Sequence, residues 1–145
     1  RRKVSSDMPS SIMDNPTLYE GTYLEFLGFR LIDWRDGYTR LEMPVRGEHR
    51  NTVSYLHGGV ITSLLDIAGA VAGSYGNAQD FVSITVNLNV NFMAPHEADM
   101  AVAEGELIRS TSSLFFAQAK LFDPERKMLC ATATGTYKKK TRGTQ

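Results

Sequence analysis

The chain of 145 residues has one cysteine, one tryptophan, three histidines and no net charge. With Cys130 alone no intramolecular disulfide can form, which predicts a reducing, cytoplasmic setting. Cys130 falls in an apolar strand pattern with no histidine beside it and reads as a small core residue. His49, His57 and His96 are scattered and no Cys-x-x-Cys occurs, so no metal site is expected. Neither Gly-x-Gly-x-x-Gly nor a P-loop is present, and no other cofactor is expected. The absence of a Gly-x-Ser-x-Gly elbow argues against a serine hydrolase. No apolar run reaches the roughly 18 residues that a membrane helix needs, so no membrane partner is expected. Residues 1–11 are polar and basic with no apolar stretch behind them, and do not read as a secretory signal. Sixteen basic and sixteen acidic side chains cancel, leaving no global field to attract nucleic acid. The densest local charge is Lys138-Lys139-Lys140 with Arg142 just beyond, which reads as a solvated end or as a contact for phosphates.

What is present fits one domain, expected over 15–140, between a flexible arm at 1–14 and a flexible tail at 141–145. A chain of this size can bury a core without metals or disulfides. Asn15-Pro16 reads as a helix start, with the helix stopping near Gly28. A hairpin follows over 29–45, turning at Arg35-Asp36-Gly37, with Leu41, Met43 and Val45 on one face. The one sustained helical pattern is 59–72. Ile61, Leu64, Leu65, Ala68 and Ala72 form its apolar stripe, widened by Val60, Ile67 and Val71. Gly59, Ser63, Asp66, Ala70 and Gly73 form another stripe, small except for Asp66. Residues 80–95 alternate: Val82, Ile84, Val86, Leu88, Val90 and Phe92 in one phase, Ser83, Thr85, Asn87, Asn89 and Asn91 in the other. Further strands are predicted at 98–109, 114–122 and 128–137. Late strands joined by tight turns make an antiparallel sheet, and a long apolar helix needs burial on most of its circumference. The economical solution is a curved sheet wrapped around that helix.

Chemistry has few places to reside. Gly58 and Gly59 open the helix, where unpaired N–H groups and the positive end of the helix dipole can hold a carbonyl oxygen as charge develops on it. The plainer reading of the pair is a tight turn. Asp66 is a poor mid-helix residue among apolar neighbours, and reads as a solvated carboxylate or as a base or nucleophile. A rise of 1.5 Å per residue puts it some 10 Å from the helix start, too far to serve a carbonyl bound there. A second subunit with its helix antiparallel would close that gap. His57 and Asn51 read singly as structural, Asn51 as a turn former, and Ser83 as a surface hydroxyl.

Together these residues carry a resemblance. Asn51, His57-Gly58-Gly59 and Asp66, followed by Val82-Ser83-Ile84-Thr85-Val86-Asn87-Leu88-Asn89-Val90-Asn91-Phe92 and Ala94-Pro95, resemble the hotdog-fold thioesterases of the phenylacetate-degradation (PaaI-like) type. Leu41-Glu42-Met43-Pro44-Val45 resembles the second strand of that family and Ala131-Thr132-Ala133-Thr134-Gly135-Thr136 its last, so the likeness spans 18–137. It implies an α+β hotdog fold, a curved antiparallel sheet of about six strands around one long central helix. It implies hydrolysis of an aryl- or medium/long-chain acyl-CoA to free acid and coenzyme A, without metal. In such a site Gly58 N–H would polarise the thioester carbonyl, with His57 orienting the substrate or the turn. Asp66 of a partner chain would activate water or attack directly. Asn51 would position the water, Ser83 would assist Asp66, and Gly59, Thr85 and Arg109 would contact the substrate. Two chains would pair their long strands, with further assembly into a dimer of dimers. The chain departs from many relatives at His96-Glu97-Ala98-Asp99 and at Ser110-Thr111-Ser112-Ser113, beside the nucleotide end of the ligand. Two rival readings are an enoyl-CoA hydratase or dehydratase using His57 with Asp66, and a non-catalytic acyl-CoA-binding module.

Overall fold

The computed structural model of the protein describes residues 20–77 and 80–143. The helix start expected at Asn15-Pro16 and the arm at 1–14 lie outside them. A short helix α1 (Tyr23–Leu27) ends where expected: Gly28 takes the left-handed conformation (φ 70°) and its N–H donates to the Leu24 carbonyl at 3.1 Å. Strands β1 (Arg30–Arg35) and β2 (Tyr38–Pro44) form the hairpin, with Gly37 at φ 73° supplying its turn. Thr39, Leu41 and Met43 are its buried phase. A single 3-10 turn (Gly47–His49) then leads to helix α2 (Gly58–Ala72). Strands β3 (Phe81–Phe92), β4 (Met100–Ser110), β5 (Leu114–Asp123) and β6 (Met128–Thr141) complete one six-stranded sheet in the order β1-β2-β4-β5-β6-β3. All neighbours are antiparallel.

The apolar stripe of α2 is the centre of the core. Ile61, Leu64, Leu65, Ala68 and Ala72 are buried, against Leu41 and Met43 of β2, Ala101 and Ala103 of β4, and Leu121 of β5. Each fully buried leucine in such a cluster contributes on the order of 1.5–3 kcal/mol. The sheet comes very close to the helix at Gly105, where an added Cβ would stand 2.1 Å from the Ala68 carbonyl oxygen. Only glycine permits that approach, and it brings the inner face of the sheet within reach of the backbone of α2.

Two details differ from the sequence pattern. Strand β6 runs on to Thr141 because Lys138, Lys139 and Lys140 pair with Ile84, Ser83 and Val82 of β3. More consequential is a bulge in β3. The register passes from Thr85 opposite Tyr137 directly to Asn87 opposite Thr136, leaving Val86 without a counterpart. An extra residue reverses which side chains share a face. Leu88 and Val90 pack on the core as expected, and Phe81 packs on the inner aromatic cluster of Phe115, Ala117 and Tyr137. Thr85 therefore points toward α2, with Leu88 and Val90. Ile84 (46% exposed) and Val86 (59%) do not join the buried phase.

Candidate active site

Hydrogen bonds position the loop before α2. The ring of His49 is fully buried; its Nδ1 accepts the Arg46 main-chain N–H at 3.0 Å, and its own carbonyl accepts the His57 N–H at 2.9 Å. Arg50 spreads its guanidinium over the carbonyls of Ser54, Glu97 and Ala98 and the Asp99 carboxylate, tying this loop to the one after β3. Leu56 N–H donates to the His96 carbonyl at 3.0 Å. Asn51 makes the turn its residue type suggests: its Oδ1 accepts the N–H groups of Val53 and Tyr55, each at 3.0 Å. Its carboxamide oxygen is thereby occupied, and only the NH₂ group remains to act on a ligand.

His57 caps α2. Its Nδ1 accepts the Gly59 N–H at 2.8 Å, and a Cβ on Gly59 would stand 3.0 Å from that nitrogen. The Gly59 N–H is thus already taken, whereas the Gly58 N–H has no acceptor among the described residues. Gly58 borders an open cleft of about 370 Å³, lined also by Asn51, Tyr55, Ile61, Phe92 and His96. The Phe92 ring lies 3.5 Å from where a Gly58 Cβ would be.

Asp66 lies elsewhere, outside the lining of that cleft. Thr85 donates to its Oδ1 at 2.8 Å, an approach that the β3 bulge makes available. The Ser83 hydroxyl makes no side-chain hydrogen bond among the described residues. Tyr137, opposite Thr85 across the ladder, donates to the main-chain carbonyl of Asp66 at 3.1 Å. Burial, and then the charge of the Asp66 carboxylate, push the Tyr137 phenol well above its ordinary value. Arg109 is exposed on β4 opposite Phe116 and joins neither group. Lys139 is tied to Ser110 Oγ and the Thr111 carbonyl, leaving Lys138 and Lys140 as the exposed members of the lysine run. One chain thus gathers the expected residues into two separate groups: Asn51 and Gly58 at the cleft, Asp66 and Thr85 farther along α2. Tyr137 had no distinguishing sequence signal beyond its place at the end of an alternating strand.

His96 lines the cleft, and Asp123 accepts the N–H groups of Glu97 and Ala98 just after it. Burial would raise the Asp123 carboxyl, but the N–H groups of Arg126, Glu97 and Ala98 and the His96 charge outweigh it and hold it below the usual range. Burial lowers the His96 imidazole, against the pull of Asp123 and of its hydrogen bond to the Met100 carbonyl. A ring whose protonation is disfavoured in the folded chain binds its proton more readily when unfolded. Its contribution to stability is therefore full above about pH 6.5 and is lost as pH falls below that toward the folded value. Thermal midpoints measured from about pH 8 down to about pH 5 should fall across that window, and His96→Gln should flatten the fall. Parallel curves for the two proteins would contradict this.

Among the described residues no helix is long and apolar enough to cross a membrane, and no three metal-ligating side chains converge. Comparison with known proteins gives the family and the fold. Residues 54–130 match the family described as the thioesterase superfamily. An inferred esterase of Archaeoglobus fulgidus is 34% identical over 83 residues, 57% of this chain and 52% of that one, so the match spans about half of that relative. A 1,4-dihydroxy-2-naphthoyl-CoA hydrolase of Listeria monocytogenes is 25% identical over 81% of this chain and 96% of its own. Among solved structures, a thioesterase of Haemophilus influenzae superposes with a TM-score of 0.81 at 20% identity, covering 92% of each chain. The six-stranded sheet around one main helix is the hotdog fold, and the chain belongs to the thioesterase superfamily.

Proposed function

We propose that the protein hydrolyses acyl-CoA thioesters at a site assembled from two chains. The observation that carries this is the separation, within one chain, of the free Gly58 N–H at the cleft from the Asp66 carboxylate held by Thr85. Eight residues of helix put about 12 Å between them. The edge position of β3 supports the remedy. Among the described residues its outer edge is unpaired, and Val86, Phe92 and Met93 are each more than half exposed along or just past it. An exposed edge of twelve residues is a template for another strand. In a symmetric pair, β3 would lie antiparallel to its copy about a two-fold axis near Leu88 and Asn89. Phe92, which lines the cleft with Gly58, would then face the partner's Thr85, which holds the partner's Asp66. Each site would join one chain's Gly58 to the other's Asp66.

In that arrangement the Gly58 N–H and the dipole of α2 polarise the thioester carbonyl. Asp66 activates a water or attacks the carbonyl itself, and coenzyme A leaves as the thiol. The Asn51 NH₂ group and Ser83 are available to position the water, while His57 keeps the helix start in shape. The aryl-CoA named for the Listeria relative supports a coenzyme A ester as substrate. A hydratase would need His57 beside an acid, but His57 Nδ1 is engaged in capping α2. The test is thiol release from a panel of saturating aliphatic and aromatic CoA esters. Release from at least one ester is expected. Hydration of an enoyl-CoA without thiol release would point to the rival reading, and tight binding without turnover to a non-catalytic module.

A further inference from the structure

We propose that Tyr137 is a positioning residue for Asp66. The proposal rests on the role assigned to Asp66 above. The Tyr137 side chain is 1% exposed and stacks on Phe115 with ring centroids 4.9 Å apart and an interplanar angle of 13°. Its space is made by two glycines. A Cβ on Gly69 would stand 2.5 Å from its hydroxyl, and one on Gly135 would stand 2.7 Å from its ring. A phenylalanine would pack there equally well, so packing leaves the hydroxyl unexplained.

The hydroxyl goes to one helix carbonyl, that of Asp66, at 3.1 Å. A carbonyl in mid-helix already has its partner four residues on, so this bond adds a tether where the helix needs none. Its neighbour in the ladder, Thr85, donates to the carboxylate of the same residue at 2.8 Å. Two opposed positions on adjacent strands therefore hold one aspartate, one at its main chain and one at its side chain. The bulge at Val86 follows immediately, and it is what lets Thr85 and the apolar residues beyond it face the helix together. A phenol is already protonated throughout the neutral range, and burial pushes this one further up, so it is a proton donor there. A carboxylate that reacts with a carbonyl bound by another chain must be placed within a fraction of an ångström, and this pair fixes it.

The experiment compares Tyr137→Phe, Asp66→Asn and the double variant in the CoA-ester assay, with thermal melts of each. Tyr137→Phe is expected to lower kcat by about tenfold with KM changed less than about twofold, since the lost placement matters in the transition state. In the Asp66→Asn background, assayed at high enzyme concentration, the same replacement is expected to have no further effect, because both act through one group. If Tyr137→Phe folds poorly, Gly69→Ala displaces the hydroxyl while keeping the phenol, and the same loss of kcat is expected. Full kcat in the folded variants, or an equal loss in the Asp66→Asn background, overturns the positioning role and leaves the Asp66 assignment standing. Full turnover by Asp66→Asn overturns that assignment, and this proposal with it.

Discussion

Asp66→Asn should lower thioester turnover by about a thousandfold, within the range of two to four orders of magnitude measured for positioned acid–base groups. The replacement is close to isosteric. It keeps an oxygen at Oδ1 to accept from Thr85 and leaves the Tyr137 bond to the main chain untouched. Only the charge and the capacity to take a proton or attack are removed. The fold should tolerate it well, because Asp66 is only partly buried and aspartate is itself a poor helix former. Thermal melting near the wild-type midpoint together with lost turnover is the expected pair of results. Wild-type turnover in a folded variant would remove Asp66 from the chemistry.

Gly58→Pro addresses the other half of the site, and the local backbone makes it an unusually clean replacement. Gly58 is the first residue of α2, where proline is favoured and no intrahelical hydrogen bond is lost. The preceding His57 has φ −62° and ψ 136°, the extended conformation that proline requires of its predecessor. A Cβ at this position meets only the edge of the Phe92 ring at ordinary contact distance. What disappears is the N–H. If that group holds the thioester oxygen as charge develops, its removal should lower kcat by about a hundredfold to a thousandfold. Gly58→Ala, which keeps the N–H, should retain most of the activity. Equal losses in both variants would assign the effect to crowding of the cleft.

Helix α2 was legible almost residue for residue, because its apolar positions repeat at helical spacing and two glycines open it. The hairpin and the late strands were legible for the same local reason, an alternation of period two. Residues whose positions depend on pairing between distant strands were not. The bulge at Val86 exists only in the register between β3 and β6, so uninterrupted alternation puts Ile84 in the same phase as Leu88 and leaves Thr85 with the asparagines. With the bulge, Thr85 reaches Asp66, and Ser83, the hydroxyl that the resemblance favoured for assisting Asp66, makes no bond to it. Tyr137 was invisible for a related reason: its meaning comes from the room left by Gly69 and Gly135, far apart in the chain. For Asn51, the turn that its residue type suggests and a place on the cleft turned out to be compatible. The oxygen closes the turn and the residue still lines the cleft beside Gly58.

The separation of Gly58 from Asp66 makes a shared site the centre of the account, and mixing two inactive proteins tests it most directly. Asp66→Asn chains retain Gly58, and Gly58→Pro chains retain Asp66. Unfolded together and refolded at equal concentration, they should form mixed dimers in which one site combines both intact halves and the other combines both lesions. With half the dimers mixed and one of two sites intact in each, about a quarter of wild-type activity should return, although each variant refolded alone stays nearly inactive. Mixed dimers, verified by mass, that regain no activity would contradict a site built from two chains.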